Sequence, residues 1–212
     1  MAGRGRGKSQ RRSPDHFSKR AKSEGRPARS VYKLEEINQR WKILRSGMRV
    51  LDLGCSPGSW LQYAGEQIGV NGSAIGYDLK EVEISLAANV EARIGDVFEV
   101  EAEAIGGQVD VVLSDMAPAT MGHHKTDALR SAGLAQRAFD LADKLLRPGG
   151  TVVVKLLEGG EIVDLIKRLR LDYQKVERLR PKATRKESTE IFLIGLGKKK
   201  HSSHQLLEVT KE

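Results

Sequence analysis

Cysteine and aromatic residues are scarce in this 212-residue chain, and long apolar runs are missing. The one cysteine, Cys55, excludes an internal disulfide and is typical of a reducing cytosol. No run approaches the roughly 20 apolar residues of a membrane helix, and the N-terminus does not resemble a signal peptide. We therefore expect a soluble, cytoplasmic protein, whose length favours one domain without structural metals or disulfides.

Excess charge is confined to one end of the chain. Residues 1–30 hold ten Lys and Arg against two acids, whereas the rest of the chain holds 26 of each sign. Such a basic segment, rich in Gly, Ser and Arg, cannot bury a core, so we expect residues 1–28 to be a disordered arm. It suits a polyanion, and nucleic acid is favoured over a membrane because the arm lacks apolar residues that insert. The alternative is a solubilising tail.

The chain is organised around one stretch that runs from Val50 to Trp60 and reads Val-Leu-Asp-Leu-Gly-Cys-Ser-Pro-Gly-Ser-Trp. It predicts a strand, a tight loop and a helix that Ser59 caps, which is the first unit of a doubly wound α/β fold. Its glycines, Gly54 and Gly58, are spaced G-x-x-x-G and not G-x-G-x-x-G. That spacing favours a nucleoside with a short amino-acid tail over a dinucleotide.

Hydrophobic periodicity and turn residues predict the remaining elements. The predicted strands are 49–53, 73–79, 91–97, 109–113, 151–157, 175–179 and 189–196, and the predicted helices are 31–41, 59–68, 129–146 and 161–171. We expect Ser30 to cap the first helix, and Pro148-Gly149-Gly150 to end the third. The order implies five strand–helix units and a final β-hairpin, hence a seven-stranded, mostly parallel sheet with one antiparallel strand.

Two acids lie where predicted strands end. Asp78 closes the second strand, 20 residues after Gly58, where an acid of a doubly wound fold accepts from both ribose hydroxyls. Asp96 lies at the end of the third strand and could accept from an adenine amino group. Both acids could instead cap loops.

Four further residues can reach the same edge of the sheet. Asp115 ends the fourth strand, and Glu190 begins the last strand, whose antiparallel direction brings its start to that edge. Lys155 interrupts a buried apolar run, which is costly unless the amine is paired with acids; the alternative is a strand-end lysine that reaches water. Lys33, off the apolar stripe of the first helix, can fold over the edge or be an ordinary solvated lysine.

Five stretches resemble the FtsJ/RrmJ-type ribosomal RNA ribose 2′-O-methyltransferases, also called the RlmE family. They are Tyr32-Lys33-Leu34-Glu35-Glu36-Ile37, Asp52-Leu53-Gly54-Cys55-Ser56-Pro57-Gly58-Ser59-Trp60, Ser114-Asp115-Met116-Ala117-Pro118, Val154-Lys155 and Ser188-Thr189-Glu190-Ile191. The Ser-Asp-Met-Ala-Pro stretch is the most specific of them. Ala119 departs from the family, which often has Asn there, so the substrate contacts of the following loop do not carry over.

The resemblance implies a Rossmann-like class I fold at residues 29–197, between the arm and a polar, basic tail at 198–212. It also implies a monomer that uses S-adenosylmethionine to methylate a uridine ribose of 23S ribosomal RNA in the large ribosomal subunit. The family's catalytic tetrad maps to Lys33, Asp115, Lys155 and Glu190. Its cofactor pocket maps to Gly54, Gly58, Trp60, Asp78, Asp96 and Asp115. Lys155 would then be the general base or would stabilise the developing alkoxide.

Other functions remain open or are disfavoured. A nicotinamide-dependent oxidoreductase is disfavoured by the glycine spacing and by the lack of a Tyr-x-x-x-Lys pair. A transfer RNA methyltransferase or a silent ribosome assembly factor would keep the same motifs. Cys55 is interpreted as a small buried residue and not a nucleophile, and His123 and His124 lack metal-ligand spacing, so we expect no metal site.

Overall fold

A seven-stranded sheet runs through the part of the chain that the structure describes, residues 15–119, 122–159 and 162–200 of a computed structural model. Its strands are β1 (Arg49–Leu53), β2 (Ser73–Asp78), β3 (Val90–Ile94), β4 (Val109–Ser114), β5 (Leu146–Leu157), β6 (Tyr173–Leu179) and β7 (Glu190–Lys198). The helices are α1 (His16–Ser23), α2 (Val31–Trp41), α3 (Ser59–Ile68), α4 (His124–Leu145) and α5 (Ile162–Asp172), with a short 3-10 helix at Ala102–Ile105. None of the helices in these ranges is long and apolar enough to cross a membrane.

The strand order is β3-β2-β1-β4-β5-β7-β6, in which β7 is antiparallel to both of its neighbours and the other pairs are parallel. This confirms the predicted α/β class and the sheet with one antiparallel strand. The chain moves outward from β1 in both directions, so the switch point of the topology lies between β1 and β4. Glu190 pairs with Leu157, which places the start of β7 beside the end of β5.

Both faces of the sheet are covered by helices. On one face, Phe139 and Leu141 of α4 pack in a cluster with the fully buried Val112 and Val152. On the other face, residues of α2 and α3 pack in a second cluster that includes Leu113. Burial on both sides explains why the central strands are continuous apolar runs in the sequence.

Two of the five predicted strand–helix units are wrong. The connection at 79–89, between β2 and β3, has no helix, and the connection between β3 and β4 has only the 3-10 turn at Ala102–Ile105. In the first connection Val82, Ile84 and Leu86 alternate with exposed residues at a period of two. That pattern suits extended backbone, because a helix would place Ile84 on the face opposite to Val82 and Leu86.

The predicted boundary between α4 and β5 is also wrong. α4 begins at His124, five residues before the predicted start, and β5 begins at Leu146. Val109 pairs with Leu146 but Val111 pairs with Thr151, so residues 147–150 form an irregular insertion within β5. The Pro-Gly-Gly sequence therefore accommodates a bulge in the strand and does not separate it from the helix.

The disorder expected for the N-terminal arm does not extend to residues 15–28. Asp15 caps α1 by accepting from the Ser18 N–H at 3.0 Å, and Ala21 is buried in the core. The Phe17 ring lies 5.6 Å from the ring of Tyr32 on α2. Composition alone missed this helix because its stability comes from docking onto α2. Residues 1–14 lie outside the described residues, as do residues 201–212 of the expected tail.

The predicted tail also begins too early, because Lys198 is the last residue of β7 and is buried. Its ammonium donates to the backbone carbonyls of Ala142 and Leu146, at 3.1 and 3.2 Å, and to that of Asp143. Lys198 therefore provides a buried donor to carbonyls where α4 ends and β5 begins, at the point where the regular hydrogen bonds of the helix run out.

Candidate active site

A cavity of about 760 Å³ lies at the carboxyl ends of four neighbouring strands. Each strand contributes a residue at or just after its end: Gly54 from β1, Asp78 from β2, Asp96 from β3 and Asp115 from β4. The cavity therefore lies at the switch point of the sheet, where open α/β folds bind their ligands.

Glycine is required where the cavity meets β1. Gly54 has a φ of +80°, which side chains with a Cβ rarely adopt. A Cβ placed there would lie 2.6 Å from Cγ of Met116, so the β1 and β4 loops approach each other only because the side chain is absent. The Gly54 N–H donates to the Tyr77 carbonyl at 2.8 Å, which ties the loop to β2.

The two acids predicted to contact a nucleoside both line the cavity and both also cap loops. Oδ2 of Asp78 accepts from the Ser56 N–H at 3.0 Å, and Oδ1 accepts from the Lys80 N–H at 2.9 Å. Oδ1 of Asp96 accepts from the Phe98 N–H at 3.0 Å. These bonds fix the carboxylates in place, and each oxygen keeps lone-pair capacity for a further donor. Nucleoside binding and loop capping, the two roles that the sequence left open for these acids, are thus compatible.

Apolar side chains that the sequence analysis did not identify complete the cavity wall. Leu79 and Phe98 line it while remaining 71% and 55% exposed, and Met116, Pro118 and Leu134 line it as well. Large apolar residues are costly to expose, so their place at a cavity mouth favours an apolar or aromatic ligand. The signal in the sequence was a large apolar residue immediately or shortly after each strand-end acid.

Two predicted cofactor residues, Gly58 and Trp60, do not line this cavity. Trp60 is 3% exposed, its indole N–H donates to the Ser30 carbonyl at 2.8 Å, and its ring stacks on Phe192. Gly58, and not Ser59, occupies the N-cap position of α3, with a φ of +104°. Ser30 occupies the predicted N-cap position of α2, but it has helical backbone angles and makes no capping bond, so neither serine caps its helix as predicted. The Ser30 and Ser59 hydroxyls instead contact each other at 3.3 Å.

The four residues of the expected tetrad come together beside the cavity. Lys33 Nζ lies 2.6 Å from Glu190 Oε1 and 3.8 Å from Asp115 Oδ1. Lys155 Nζ lies 2.9 Å from Asp115 Oδ1 and donates to the Asp115 carbonyl at 2.5 Å. Both lysines are less than one-tenth exposed, so neither is an ordinary solvated side chain. Asp115 belongs to both the tetrad and the cavity wall.

Charge is balanced within the tetrad. Burial by itself would raise the pKa of Glu190, but the ion pair with Lys33 and the charge of Lys155 outweigh it and hold that pKa below its ordinary value. Two cations and two carboxylates therefore form a compact, partly desolvated network at the edge of the sheet. Such networks are typical of sites that bind polar substrates or transfer protons.

Asp52 is a further buried acid that the sequence analysis did not select. It lies within β1, is fully buried, and neither of its carboxylate oxygens has a hydrogen-bond partner in the structure. Burial, together with the charges of Asp115 and Asp78, raises its pKa well above the ordinary value. The available signal was an acid that interrupts an apolar strand, as Lys155 does in β5.

Cys55 and the two loop histidines take no part in the tetrad. Cys55 is buried, and burial with the charges of Asp52 and Asp78 raises the pKa of its thiol, which disfavours a thiolate nucleophile. His123 and His124 are exposed at the start of α4. Within the described ranges, no group of three His, Cys, Asp or Glu side chains is placed to hold a metal ion.

The sheet order, the single antiparallel strand and the cavity at the switch point define the Rossmann-like fold of class I methyltransferases. Solved structures agree with this. A Plasmodium falciparum protein assigned as a ribosomal RNA methyltransferase superposes with a TM-score of 0.72 at 26% identity, over 81% of this chain and 98% of that one. Human methyltransferase-like protein 13, solved with S-adenosylhomocysteine, gives 0.58 at 13% identity over 85% and 88%, a likeness of fold alone.

Sequence comparisons identify the family. The model of the FtsJ-like methyltransferases matches residues 27–198. Proteins named ribosomal RNA large subunit methyltransferase E are similar over most of the chain: 44% identical in Desulfosudis oleivorans (92% of this chain, 95% of the relative) and 46% in Desulfatibacillum aliphaticivorans (87% and 91%). The chain belongs to the FtsJ-like methyltransferase family. The resemblance expected from its motifs, and the class of enzyme it implied, are confirmed.

Proposed function

We propose that this chain transfers a methyl group from S-adenosylmethionine to the 2′-hydroxyl of a uridine ribose in 23S ribosomal RNA, within the assembled large subunit. Relatives named for this ribosomal RNA support the substrate. One observation of the structure carries the proposal. Asp115 lines the cavity and also contacts Lys155 and Lys33, so a cofactor site and a group of charged side chains share a wall.

The cavity fits S-adenosylmethionine in size and chemistry. A volume of about 760 Å³ is within the range of pockets for cofactor-sized ligands. Asp78 and Asp96 offer carboxylate oxygens to hydroxyl and amino donors, and Leu79 and Phe98 offer apolar surface for a flat base. The absent side chain of Gly54 leaves room for close approach by a ligand. Gly58 and Trp60 would contribute indirectly, by fixing α3 and the loop before it.

The bound cofactor would supply an electrophilic methyl group. The ribose hydroxyl is a very weak acid, so its proton must leave as the oxygen attacks. Lys155 would take this proton when neutral, or would stabilise the developing alkoxide when charged. Asp115 orients Lys155 through its carboxylate and its carbonyl, 2.9 and 2.5 Å from the amine. Lys33 and Glu190 would hold the ribose and set the charge around Lys155.

The surroundings of the site support an RNA substrate. The net positive charge of the N-terminal 30 residues, together with Lys182, Arg185 and Lys186 on the loop before Glu190, would contact phosphates. We extend the proposal to a cytoplasmic monomer with three regions: a basic arm that ends before α1, the methyltransferase domain, and a polar tail that begins after β7.

The testing experiment offers labelled S-adenosylmethionine in parallel to large subunits, free ribosomal RNA and transfer RNA from cells that lack the gene. We expect one alkali-resistant labelled dinucleotide, from large subunits only. Label on transfer RNA would instead favour that substrate, and cofactor binding without label on any RNA would favour a silent assembly factor.

Lys155→Ala tests the assigned chemistry. We expect it to abolish transfer while the Kd for the cofactor changes less than about twofold, because Lys155 does not line the cavity. Lys167→Ala is the matched control, since Lys167 is 71% exposed on α5. Normal turnover by Lys155→Ala would contradict the assignment. Lys155→Arg keeps the positive charge and separates the two roles of Lys155. Partial activity of this variant indicates that the charge stabilises the alkoxide, and no activity indicates that Lys155 is the general base.

A further inference from the structure

A second cavity, of about 480 Å³, lies between α1 and the loop at 180–189. Its wall includes His16 and Phe17 of α1, Arg29 from the segment before α2, and Lys182, Arg185 and Lys186 of the loop. We call it the α1 cavity. It is separate from the cofactor cavity, with which it shares no lining residue.

Arg29 holds the two walls of the α1 cavity together. Its guanidinium forms an ion pair with Asp15, the cap of α1, and donates to the Ala183 carbonyl on the loop. The loop is fixed to α2 as well, because the Lys182 N–H donates to Glu36 Oε2 at 2.7 Å. The α1 cavity is therefore a fixed feature of the folded domain, because an ion pair and hydrogen bonds hold both of its walls in place.

The α1 cavity concentrates positive charge. Four cationic side chains line it against two carboxylates, those of Asp15 and Glu187, and Asp15 is already paired with Arg29. Burial and the neighbouring charge of Arg185 lower the pKa of the Arg29 guanidinium, so these like charges repel each other in the free protein. A phosphate bound between them would relieve that repulsion.

Aromatic rings stand beside these cations. The His16 and Phe17 ring centroids are 4.0 Å apart, and the Arg29 guanidinium lies 5.7 Å from the Phe17 ring. His16 is exposed. Rings next to a cationic groove bind single-stranded nucleic acid, because bases stack on the rings while phosphates contact the cations. Phosphate contact alone would not require the rings.

The α1 cavity adjoins the tetrad by two short stretches of chain. Arg29 precedes Lys33 by four residues, and Glu187 precedes Glu190 by three, a backbone span of at most about 10 Å. An RNA strand that places a ribose at the tetrad must therefore pass the cavity with one of its neighbouring nucleotides.

We propose that the α1 cavity binds one unpaired nucleotide of the substrate RNA, next to the methylated ribose in the chain. Its base stacks on His16 and Phe17, and its phosphates contact Arg185 and Lys186. The inference rests on the proposed function and makes it more specific: the target must lie in a single-stranded or extruded segment, because a paired base cannot enter the cavity.

The test compares three variants with the wild type on large subunits, over a range of KCl concentrations. The first, Arg185→Ala/Lys186→Ala, should raise KM at least about tenfold, leave kcat within about twofold, and reduce the log–log salt slope by about 2. The second, His16→Ala, should raise KM about fivefold without changing the slope, since it removes stacking and no charge. The control, Lys144→Ala/Lys167→Ala, removes two exposed charges elsewhere and should change KM little.

Ultraviolet cross-linking gives an independent readout. A cross-link between His16 or Phe17 and a nucleotide within two positions of the methylated ribose supports the inference, and a cross-link to a ribosomal protein instead overturns it. The inference is also overturned if Arg185→Ala/Lys186→Ala and His16→Ala both have the same KM as the control. In that case the proposed function still stands, as long as the wild type methylates the RNA. If the wild type methylates no RNA, the proposed function fails. The affinity of the same variants for RNA, measured by filter binding, then tests the role of the α1 cavity. An affinity equal to that of the wild type refutes the inference.

Discussion

Replacing Lys33 by methionine removes the charge that neutralises Glu190 while keeping a flexible stem of similar size. The Lys33 and Glu190 side chains are 10% and 13% exposed and lie 2.6 Å apart. Breaking a buried ion pair by removing one partner costs about 3–5 kcal/mol, because the other charge is left without compensation. Lys155 remains nearby, so we expect the lower end, about 3 kcal/mol. For a domain of this size the Tm should fall by roughly 6–12 °C.

The stability lost in Lys33→Met should depend on pH, and the pKa of Glu190 sets the direction of that dependence. In the wild type the pKa of Glu190 lies below its ordinary value of 4.5, so its ionisation stabilises the fold above that pH, and the effect is lost as pH falls through the lowered pKa. Without Lys33, burial raises the pKa, and the ionised carboxylate then destabilises the fold at neutral pH. Protonation relieves this cost, so the difference in the free energy of unfolding should shrink from pH 7.5 towards pH 4.

Urea unfolding of both proteins at pH 7.5 and pH 4 measures this difference. Lys33→Met combined with Glu190→Gln provides the control, since no unpaired charge of this pair remains; it should lose no more than about 1 kcal/mol relative to the wild type. A loss below about 1 kcal/mol at pH 7.5, or one that does not change with pH, would refute the reasoning.

Four further substitutions test other parts of the structure. Asp78→Asn should weaken cofactor binding at least about tenfold by calorimetry with the fold intact, because a carboxylate that accepts two donors is replaced by an amide; unchanged affinity would remove Asp78 from the site. Gly54→Ala should cost roughly 2 kcal/mol in urea unfolding, given the φ of +80° and the clash with Met116. Gly133→Ala in α4, where a Cβ meets nothing within 4 Å, should stabilise by up to about 1 kcal/mol, and equal effects at the two glycines would contradict the strain argument. Lys198→Met should cost about 2 kcal/mol, because three carbonyls lose a buried donor, while kcat stays the same; a loss of kcat equal to that of Lys155→Ala would show that its role is not confined to stability.

Much of the sheet could be predicted because local signals and tertiary packing agree there. The run at 109–113 is apolar throughout and is buried on both faces, and the short connection at 180–189 left β6 and β7 no arrangement but a hairpin. Asp115, Lys155 and Glu190 could be brought together by the same logic, because their positions on neighbouring strands of the sheet share one edge, whereas Lys33 was assigned to the tetrad through the family resemblance. Asp115 and Glu190 could be placed at that edge from their strands alone.

The remaining features depend on contacts that no local pattern contains. α1 has the composition of a disordered arm, and its docking needs Tyr32 and the bonds of Arg29 to both walls of the α1 cavity. Trp60 follows the loop after β1 in sequence, yet its indole N–H donates to the Ser30 carbonyl and its side chain does not line the cavity. In each case, contacts with residues distant in the sequence determine where the helix or the side chain lies.

The position of β7 along its neighbours also determines where the charged side chains at its two ends lie. Glu190 begins this strand and pairs with Lys33, while Lys198 ends it and holds the carbonyls at the end of α4. A slip of two residues would keep every apolar side chain on its face but would move both ends by about 7 Å. The buried charges at the two ends therefore select one register out of several that the core would tolerate. An insertion or deletion within β7 should consequently abolish catalysis before it unfolds the sheet.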